Sequence, residues 1–427
     1  MDALTRRKFL IASGVLAGGA LAGGLTGLTL RELFGTAGDG PDGPILVLVT
    51  LYGGNDGLAT VIPFADPGYH DARPGLSYQP DQVLDLDETV GLNPALTGLR
   101  RLYGDGRLAI VRGVGYPEPD RSHFKSMDIW QTAQPRNPGT TGWLGRWLDS
   151  RGGDPRQAIS FEPVLPPLLA GATCAGAAVD MTGSADTLND VLAPAGVALD
   201  RLARPSPDEP ALQARAAGCF ADLISVNEMV AKVRPPDDES DDDDLPVATA
   251  TGGVAAPLAA QLGLVADCIE AGVITRVYST SIGGFDLHAD EMLAQERLLG
   301  ALDTAVAGFV DRMGASDRGR DVVVLIYSEF GRRVRANASD GTDHGTASNV
   351  FVVGPRVAGG RLVGEQPSLT DLDSGGDLKS TLDFRDVYAS VLADVLETDP
   401  GRILDRWEGR LPGTLFTEPE SDSQRAR

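Results

Sequence analysis

Cysteine is scarce in the sequence. Its 427 residues include three cysteines, Cys174, Cys219 and Cys268, and none of them has CxxC or other metal-ligand spacing. Three thiols allow at most one disulfide and leave one thiol over. We therefore expect these cysteines to be small hydrophobic residues in the core, not a disulfide framework or a cysteine-based metal module.

Positive charge is also scarce. The chain has 37 Lys and Arg against 60 Asp and Glu, which gives a formal net charge of -23. Such a chain is repelled by polyanions, so we predict no binding of nucleic acid or of anionic membrane surfaces through electrostatics. The same balance suits a soluble protein that holds cations, and an apolar content of 42% is enough for a sizeable core.

The N-terminus has the layout of an export signal. Arg6 and Arg7 precede a run rich in Gly and Ala at 11–30, which is the pattern of a twin-arginine signal. A structural helix is the alternative, but the glycines of this run would make it a poor one. No clear A-x-A cleavage site follows, so cleavage and retention as an anchor both stay open. We predict a signal or anchor segment and linker over 1–42, the twin-arginine export machinery as a partner, and a secreted, periplasmic or N-terminally anchored product.

From residue 43 onward, buried-strand patterns alternate with helical patterns. Strands are predicted at 44–51, 108–114, 273–280, 321–327 and 350–353, and helices at 94–103, 123–133, 289–313 and 384–396. This alternation indicates an α/β fold with a mainly parallel central sheet and helices on both faces.

One domain is predicted over 43–418. The acidic segment 235–253 has no apolar period and is interpreted as a flexible loop within that domain, although a calcium site is conceivable. The tail 419–427 is predicted to be disordered.

The most informative stretch is the glycine turn at 283–288, with the sequence GGFDLH. It delivers Asp286 and His288 to the point where a predicted strand meets a helix. Turns of this kind lie at the carboxyl edge of a parallel sheet, where ligands bind. The chain has only four histidines, so the one in this turn, His288, is predicted to be a functional residue.

Further polar residues follow other predicted strands or open a helix: Asp56, Ser122, His123, Ser328, Glu329, Asp343 and His344. Carboxylates and imidazoles that converge at one sheet edge are the ligands of a one- or two-metal site. A serine at a helix start near cations is a candidate nucleophile, and the helix amides can hold an anion.

Several of these residues have structural alternatives. Asp56 is equally a turn-former or a helix cap, and Ser122 on its own is a typical helix cap. Glu329 could instead pair with Arg332 or Arg333. His70 lies in a polar loop and is interpreted as structural, so His288 and His344 are the better candidates.

The motifs LYGGNDGL, RSHF, GGFDLH, SEFGRR and GTDHGT, behind a twin-arginine leader, occur in the order of one uncharacterised family. The chain therefore resembles the domain of unknown function 1501 over 45–396. That family looks like a branch of the alkaline phosphatase and sulfatase superfamily, so the resemblance implies an alkaline-phosphatase-like fold.

The resemblance also implies roles. Asp56 would bind one metal, Asp286, His288 and His344 the other, and Ser122 would be the nucleophile. At Ser328 and Glu329 the superfamily usually has Asp-His, which puts zinc at that position in doubt. The C/S-x-P-x-R motif of sulfatases is absent from the sequence, so a sulfatase is disfavoured.

We predict an exported, metal-dependent hydrolase of phosphate esters that acts on a small-molecule or polymer-linked substrate. The predicted cofactor is one or two divalent ions (Zn, Mg, Mn or Ca). The predicted metal ligands are Asp56, Asp286, His288, Glu329, Asp343 and His344, and the predicted catalytic residues are Ser122 and His123. The alternatives are a non-catalytic exported protein that binds a cell-envelope partner or glycan, and a purely structural envelope protein.

Overall fold

The computed structural model describes residues 41, 43–162, 164–179, 181, 247–248 and 254–416. Their contacts form two compact units, which are described one at a time. One unit lies within 140–280, and the other comprises Gly43–Gly139 and Ser281–Arg427. The predicted signal segment (apart from residue 41) and the tail 419–427 lie outside the described residues. The single domain predicted over 43–418 stays a prediction.

The strands are β1 (Ile45–Leu51), β2 (Val61–Ile62), β3 (Leu84–Asp85), β4 (Gly91–Leu92), β5 (Leu108–Gly115), β6 (Ala158–Ser160), β7 (Ala177–Ala178), β8 (Val247–Ala248), β9 (Val254–Ala255), β10 (Val277–Ile282), β11 (Val322–Ser328), β12 (Arg332–Ala336), β13 (Thr342–His344), β14 (Ser348–Val353), β15 (Arg361–Val363) and β16 (Leu382–Asp383). The acidic segment 235–253 lies outside the described residues except for β8.

The α-helices are α1 (Gly57–Thr60), α2 (Pro67–Ala72), α3 (Thr97–Gly104), α4 (His123–Thr132), α5 (Trp143–Ser150), α6 (Leu258–Glu270), α7 (Glu291–Ala315), α8 (Phe384–Asp394) and α9 (Pro400–Ile403). Short 3-10 helices lie at Pro80–Gln82, Pro155–Gln157 and Pro167–Leu169. Among the described residues, none of the helices is both long enough and apolar enough to span a membrane.

The unit of 43–139 and 281–416 is built on a mixed sheet with the strand order β15-β5-β14-β11-β1. β1 and β11 pair in parallel along their whole length, from Ile45 opposite Val322 to Leu51 opposite Ser328. Every residue of these two strands is buried, as expected for parallel strands covered on both faces. β14 is antiparallel to both β11 and β5. The carboxyl ends of β1, β5 and β11 and the amino end of β14 therefore lie at one edge of the sheet.

Helices pack on this sheet through apolar faces and specific caps. The long helix α7 buries Leu299, Leu302 and Phe309, among other residues. From the same helix, the Asp303 carboxylate accepts hydrogen bonds from the first amides of α3, at 2.7 Å from both Gly98 and Leu99. This carboxylate satisfies amides that have no partner within their own helix, so it fixes α3 against α7.

The unit within 140–280 contains a parallel sheet in the order β10-β6-β7 and the helices α5 and α6. Trp143 and Trp147 of α5 are buried in its core. Cys268 is buried as predicted, and burial raises the pKa of its thiol to about 12. Cys174 is only partly buried, and its Sγ donates to Asp149 Oδ1 at 3.1 Å.

These pairings confirm the predicted α/β fold with a mainly parallel sheet. The predicted strands and helices on either side of the glycine turn appear as β10 and α7.

Candidate metal centre

Three loops meet at the sheet edge defined above. Backbone hydrogen bonds join the end of β1 to the glycine turn, from Tyr52 N to Ile282 O (2.9 Å) and from Phe285 N to Tyr52 O (3.2 Å). Gly53 has a φ of +116°, and a Cβ there would lie 2.5 Å from Asp286 N. Only glycine permits this approach, which holds the turn 283–288 against the end of β1.

Three side chains, His123, Asp286 and His344, form a group that can hold a metal ion. The two Nε2 atoms are 3.1 Å apart. Asp286 Oδ1 lies 3.1 Å from Nε2 of His344 and 3.4 Å from Nε2 of His123. Ligands bonded to zinc at about 2.0–2.1 Å in tetrahedral geometry are about 3.3 Å apart. The three atoms therefore match one face of a tetrahedral site.

The outer nitrogens of both imidazoles are held by acceptors. His123 Nδ1 lies 2.8 Å from Glu329 Oε1, and His344 Nδ1 lies 2.8 Å from the carbonyl oxygen of Arg121. A carbonyl oxygen only accepts, and the Glu329 oxygen also accepts from Gly53 N at 2.9 Å, so each Nδ1 carries the proton. When both imidazoles are neutral, their Nε2 lone pairs face each other across 3.1 Å. A bound cation would turn this repulsion into coordination, and the acceptors are the outer partners usual for metal-bound histidines.

His288 is a further nitrogen donor beside this triad. Its Nε2 lies 2.9 Å from Asp286 Oδ1 and 3.0 Å from His344 Nε2. Its Nδ1 lies 3.3 Å from Asp343 Oδ1, and both side chains are about half exposed. Asp343 therefore contacts His288, not the triad, while His288 lies on the exposed side of the centre.

Arg332, considered from the sequence only as a partner for Glu329, organises the loops of the centre. Its buried guanidinium donates to the carbonyl oxygens of Gly53, Gly54 (2.7 Å), Phe285 (3.0 Å) and Thr342 (2.9 Å), and to Asp286 Oδ1 (2.7 Å). Burial favours the neutral acid, but Arg332 outweighs it and lowers the pKa of Asp286 to about 2. Asp286 is therefore ionised at neutral pH and oriented for binding a cation.

Helix α4 begins at the centre. Ser122 is its exposed N-cap residue, and its hydroxyl makes no capping hydrogen bond with the described helix amides. The sequence assigned His123 a catalytic role, whereas the structure places its Nε2 in the triad. Burial lowers the pKa of His123, but the Glu329 carboxylate outweighs burial and raises it. Phe330 packs against both imidazoles: the centroid of its ring lies 4.9 Å from that of His123 and 5.0 Å from that of His344.

Asp56 and His70 are two further residues that do not belong to the triad. Asp56 is a buried N-cap residue of α1 whose carboxylate accepts from Leu58 N at 3.0 Å and from the guanidinium of Arg73. Burial raises the pKa of Asp56, but the charge of Arg73 outweighs burial and lowers it. His70 lies in α2, with its Nε2 2.9 Å from Phe64 O.

The fold and the site thus define an α/β protein with a His/Asp group at the carboxyl edge of its sheet. A family model described as a protein of unknown function (DUF1501) matches residues 227–414. The matched segment carries the glycine turn, the SEFGRR motif and the GTDHGT motif, so the resemblance predicted from the motifs is confirmed over this segment. No curated protein matches the sequence.

Similar solved structures share little sequence with this chain. A protein in the alkaline phosphatase superfamily from Vibrio parahaemolyticus is 9% identical, with 83% of this chain and 71% of that chain covered, at a TM-score of 0.33. The lipoteichoic acid synthase LtaP from Listeria monocytogenes is 8% identical, with 89% and 78% covered, at 0.36. A phosphonate monoester hydrolase from Silicibacter pomeroyi is 11% identical, with 86% and 75% covered, at 0.33. At these TM-scores the likenesses carry no argument about activity.

Proposed function

We propose that this protein is an exported, metal-dependent hydrolase of phosphate esters. The observation that supports the proposal most directly is the pair of imidazole nitrogens of His123 and His344, 3.1 Å apart beside Asp286, with both outer nitrogens held by acceptors. A cation bound between the three side chains would explain why the two nitrogens lie so close to each other and to the carboxylate.

The donor set favours particular metals. Two imidazole nitrogens and one carboxylate oxygen suit Zn²⁺ and Mn²⁺ better than Ca²⁺ or Mg²⁺, which prefer oxygen ligands throughout. Three protein ligands leave a coordination position open, as catalytic zinc sites do. When bound, such a cation would polarise a phosphoryl oxygen as a Lewis acid.

The residues of the chain have distinct roles in this proposal. Glu329 keeps the imidazole of His123 in the tautomer that presents Nε2, and Arg332 keeps Asp286 ionised and oriented. The positive end of the α4 dipole and the Ser122 hydroxyl lie next to His123, where they can bind a phosphoryl group. Ser122 is the candidate nucleophile of the site.

The first experiment measures metal content and hydrolysis together. The purified protein is loaded with Zn²⁺ or Mn²⁺, its metal content is measured by mass spectrometry, and it is assayed on a panel of phosphomonoesters and phosphodiesters. We expect bound metal and hydrolysis in the wild type, loss of both in His344→Ala, and retention of both in His70→Ala. His70 is a matched control because it is a histidine outside the centre.

Two results would contradict the proposal. A wild-type protein without bound metal would remove its basis, and so would undiminished hydrolysis in His344→Ala. Bound metal without hydrolysis of any ester would instead favour the non-catalytic binding protein. Ser122→Ala separates attack from binding: loss of the attacking hydroxyl should lower kcat by more than about 10³-fold, and loss of a binding contact by about 10-fold.

Export is the second part of the proposal and is supported by Arg6, Arg7 and the apolar run at 11–30. Replacing both arginines by lysine should keep the precursor in the cytoplasm, as cell fractionation would show. Equal export of the double variant would contradict the twin-arginine route.

A further inference from the structure

A second group of charged residues is buried in the same unit as the metal centre. Asp56, Arg73 and Glu291 are 1%, 0% and 2% exposed, respectively. From the family resemblance, Asp56 is predicted to bind one of two metals. Two carboxyl groups that are buried together could supply oxygen ligands for such a site.

In the structure, the guanidinium of Arg73 lies beside Asp56, where such a metal would bind. Arg73 donates from Nη1 to Asp56 Oδ2 and from Nη2 to Oδ1 at 3.1 Å, so both carboxylate oxygens are engaged. Its Nε donates to Val334 O at 3.0 Å, and Nη2 also donates to Arg333 O at 2.7 Å. A guanidinium does not lose its proton in proteins, so this cation is permanent.

The charges of the group already balance without a metal. Burial and the charge of Asp56 raise the pKa of Glu291 to about 9, so Glu291 is a neutral acid at pH 7. Asp56 and Arg73 then cancel. A divalent cation added to this place would leave excess positive charge in a buried site, which is strongly unfavourable.

We propose that Arg73 is the resident cation of the Asp56–Glu291 pair, so that the described part of the chain offers one metal centre and not two. This inference rests on the proposed function because it counts the metals at that centre. It assigns Asp56 to the support of the site and restricts the reaction to the chemistry of a single cation.

The buried group is connected to the metal centre through strand β13. Thr342 Oγ1 donates to Glu291 Oε2 at 2.6 Å, and Thr342 O accepts from Arg332 at 2.9 Å. His344 lies two residues further along the same strand. The group therefore contacts a ligand-bearing strand without contributing a ligand itself.

The test is a metal count in the full chain. The protein is stripped with a chelator, reloaded with excess Zn²⁺ or Mn²⁺, and passed through a desalting column before the metal content per chain is measured. His344→Ala gives the background from adventitious surface binding. Above this background, we expect one metal per chain in the wild type, in Glu291→Gln and in Asp56→Asn, with affinities within about threefold of each other.

Glu291→Gln keeps the test decisive if Asp56→Asn fails to fold, because glutamine preserves the shape and neutrality of the protonated acid. Two metals per wild-type chain, falling to one in Glu291→Gln or Asp56→Asn, would overturn the inference and leave the proposed function intact. No metal in the wild type would overturn the proposed function and this inference with it.

Discussion

Replacing Glu291 by glutamine should stabilise the metal-free protein at alkaline pH. An unperturbed glutamate has a pKa of 4.5, whereas that of Glu291 in the folded protein is raised to about 9 by burial and by Asp56. Between these two values the folded state holds a proton that the unfolded state has released. The wild type must therefore lose stability as pH rises through this window, and a residue that does not titrate escapes the loss.

The size of the effect follows from the linkage relation. Each pH unit inside the window changes the free energy of unfolding by about 1.4 kcal/mol. Between pH 5 and pH 8 this amounts to at most about 4 kcal/mol. The advantage of Glu291→Gln over the wild type should grow by up to this amount.

The assay is urea unfolding of both proteins at pH 5 and pH 8 in the presence of a chelator, which removes any contribution from bound metal. Glu88→Gln is the control because Glu88 is exposed, and it should show no pH-dependent difference from the wild type. If the difference between wild type and Glu291→Gln were the same at both pH values, the buried neutral acid would be refuted, and so would the charge balance built on it.

Three further substitutions address the support of the metal ligands. Glu329→Gln weakens the acceptor of His123 Nδ1, so chelator competition should show a metal affinity about 10–100-fold lower, in a protein that unfolds at the same urea concentration. Arg332→Lys leaves several carbonyl oxygens without donors, so the free energy of unfolding should fall by about 3 kcal/mol. Asp377→Asn loosens Arg121, whose Nε donates to this buried carboxylate at 2.7 Å and whose carbonyl orients a ligand imidazole. Metal affinity should fall about 10-fold, and the absorption spectrum of the Co²⁺-loaded protein should shift. An unchanged affinity and spectrum would exclude such a positioning role.

Sequence patterns suffice for the main elements of the fold because burial on both faces requires nearly continuous apolar runs. Strands β1 and β11 are such runs, and their parallel register brings the residues that follow them to one edge. The same rule predicts that Asp286, His288 and His344 lie close together, since each lies in or beside a glycine-containing turn at that edge, and their side-chain atoms lie within 3.1 Å of one another.

The position of His123 beside Asp286 and His344 could not be derived in this way. A helix start shows in the sequence as a polar cap, but the direction of an imidazole depends on partners distant in the chain. Here the partner is Glu329, 206 residues away, which Gly53 N holds in place. Arg332 was similarly ambiguous, because an arginine after a strand pairs as readily with an adjacent acid as with distant carbonyl oxygens.

Asp56 shows the limit of motif reasoning most directly. Its glycine turn has the composition of a ligand-bearing loop, and its partner Arg73 is only 17 residues away. Arg73 nevertheless follows a short helix in a polar stretch, where an exposed arginine would be the ordinary expectation. Only the packing of α2 against β12, where Val334 O and Arg333 O accept from Arg73, buries this guanidinium.

The two charged groups differ in how many oxygens of the carboxylate accept from an arginine: both at Asp56, and one at Asp286. At Asp56 the chain supplies a guanidinium that is charged at every accessible pH and bonded on every side, so nothing there can exchange. At Asp286, one carboxylate oxygen accepts from Arg332, and the Nε2 atoms of His123 and His344 face the same oxygen and each other. Under the proposed function, a cation from solution binds between these nitrogens and meets a substrate there, which explains why they lie so close together. The metal count tests this centre, and the urea unfolding of Glu291→Gln at two pH values tests the buried group.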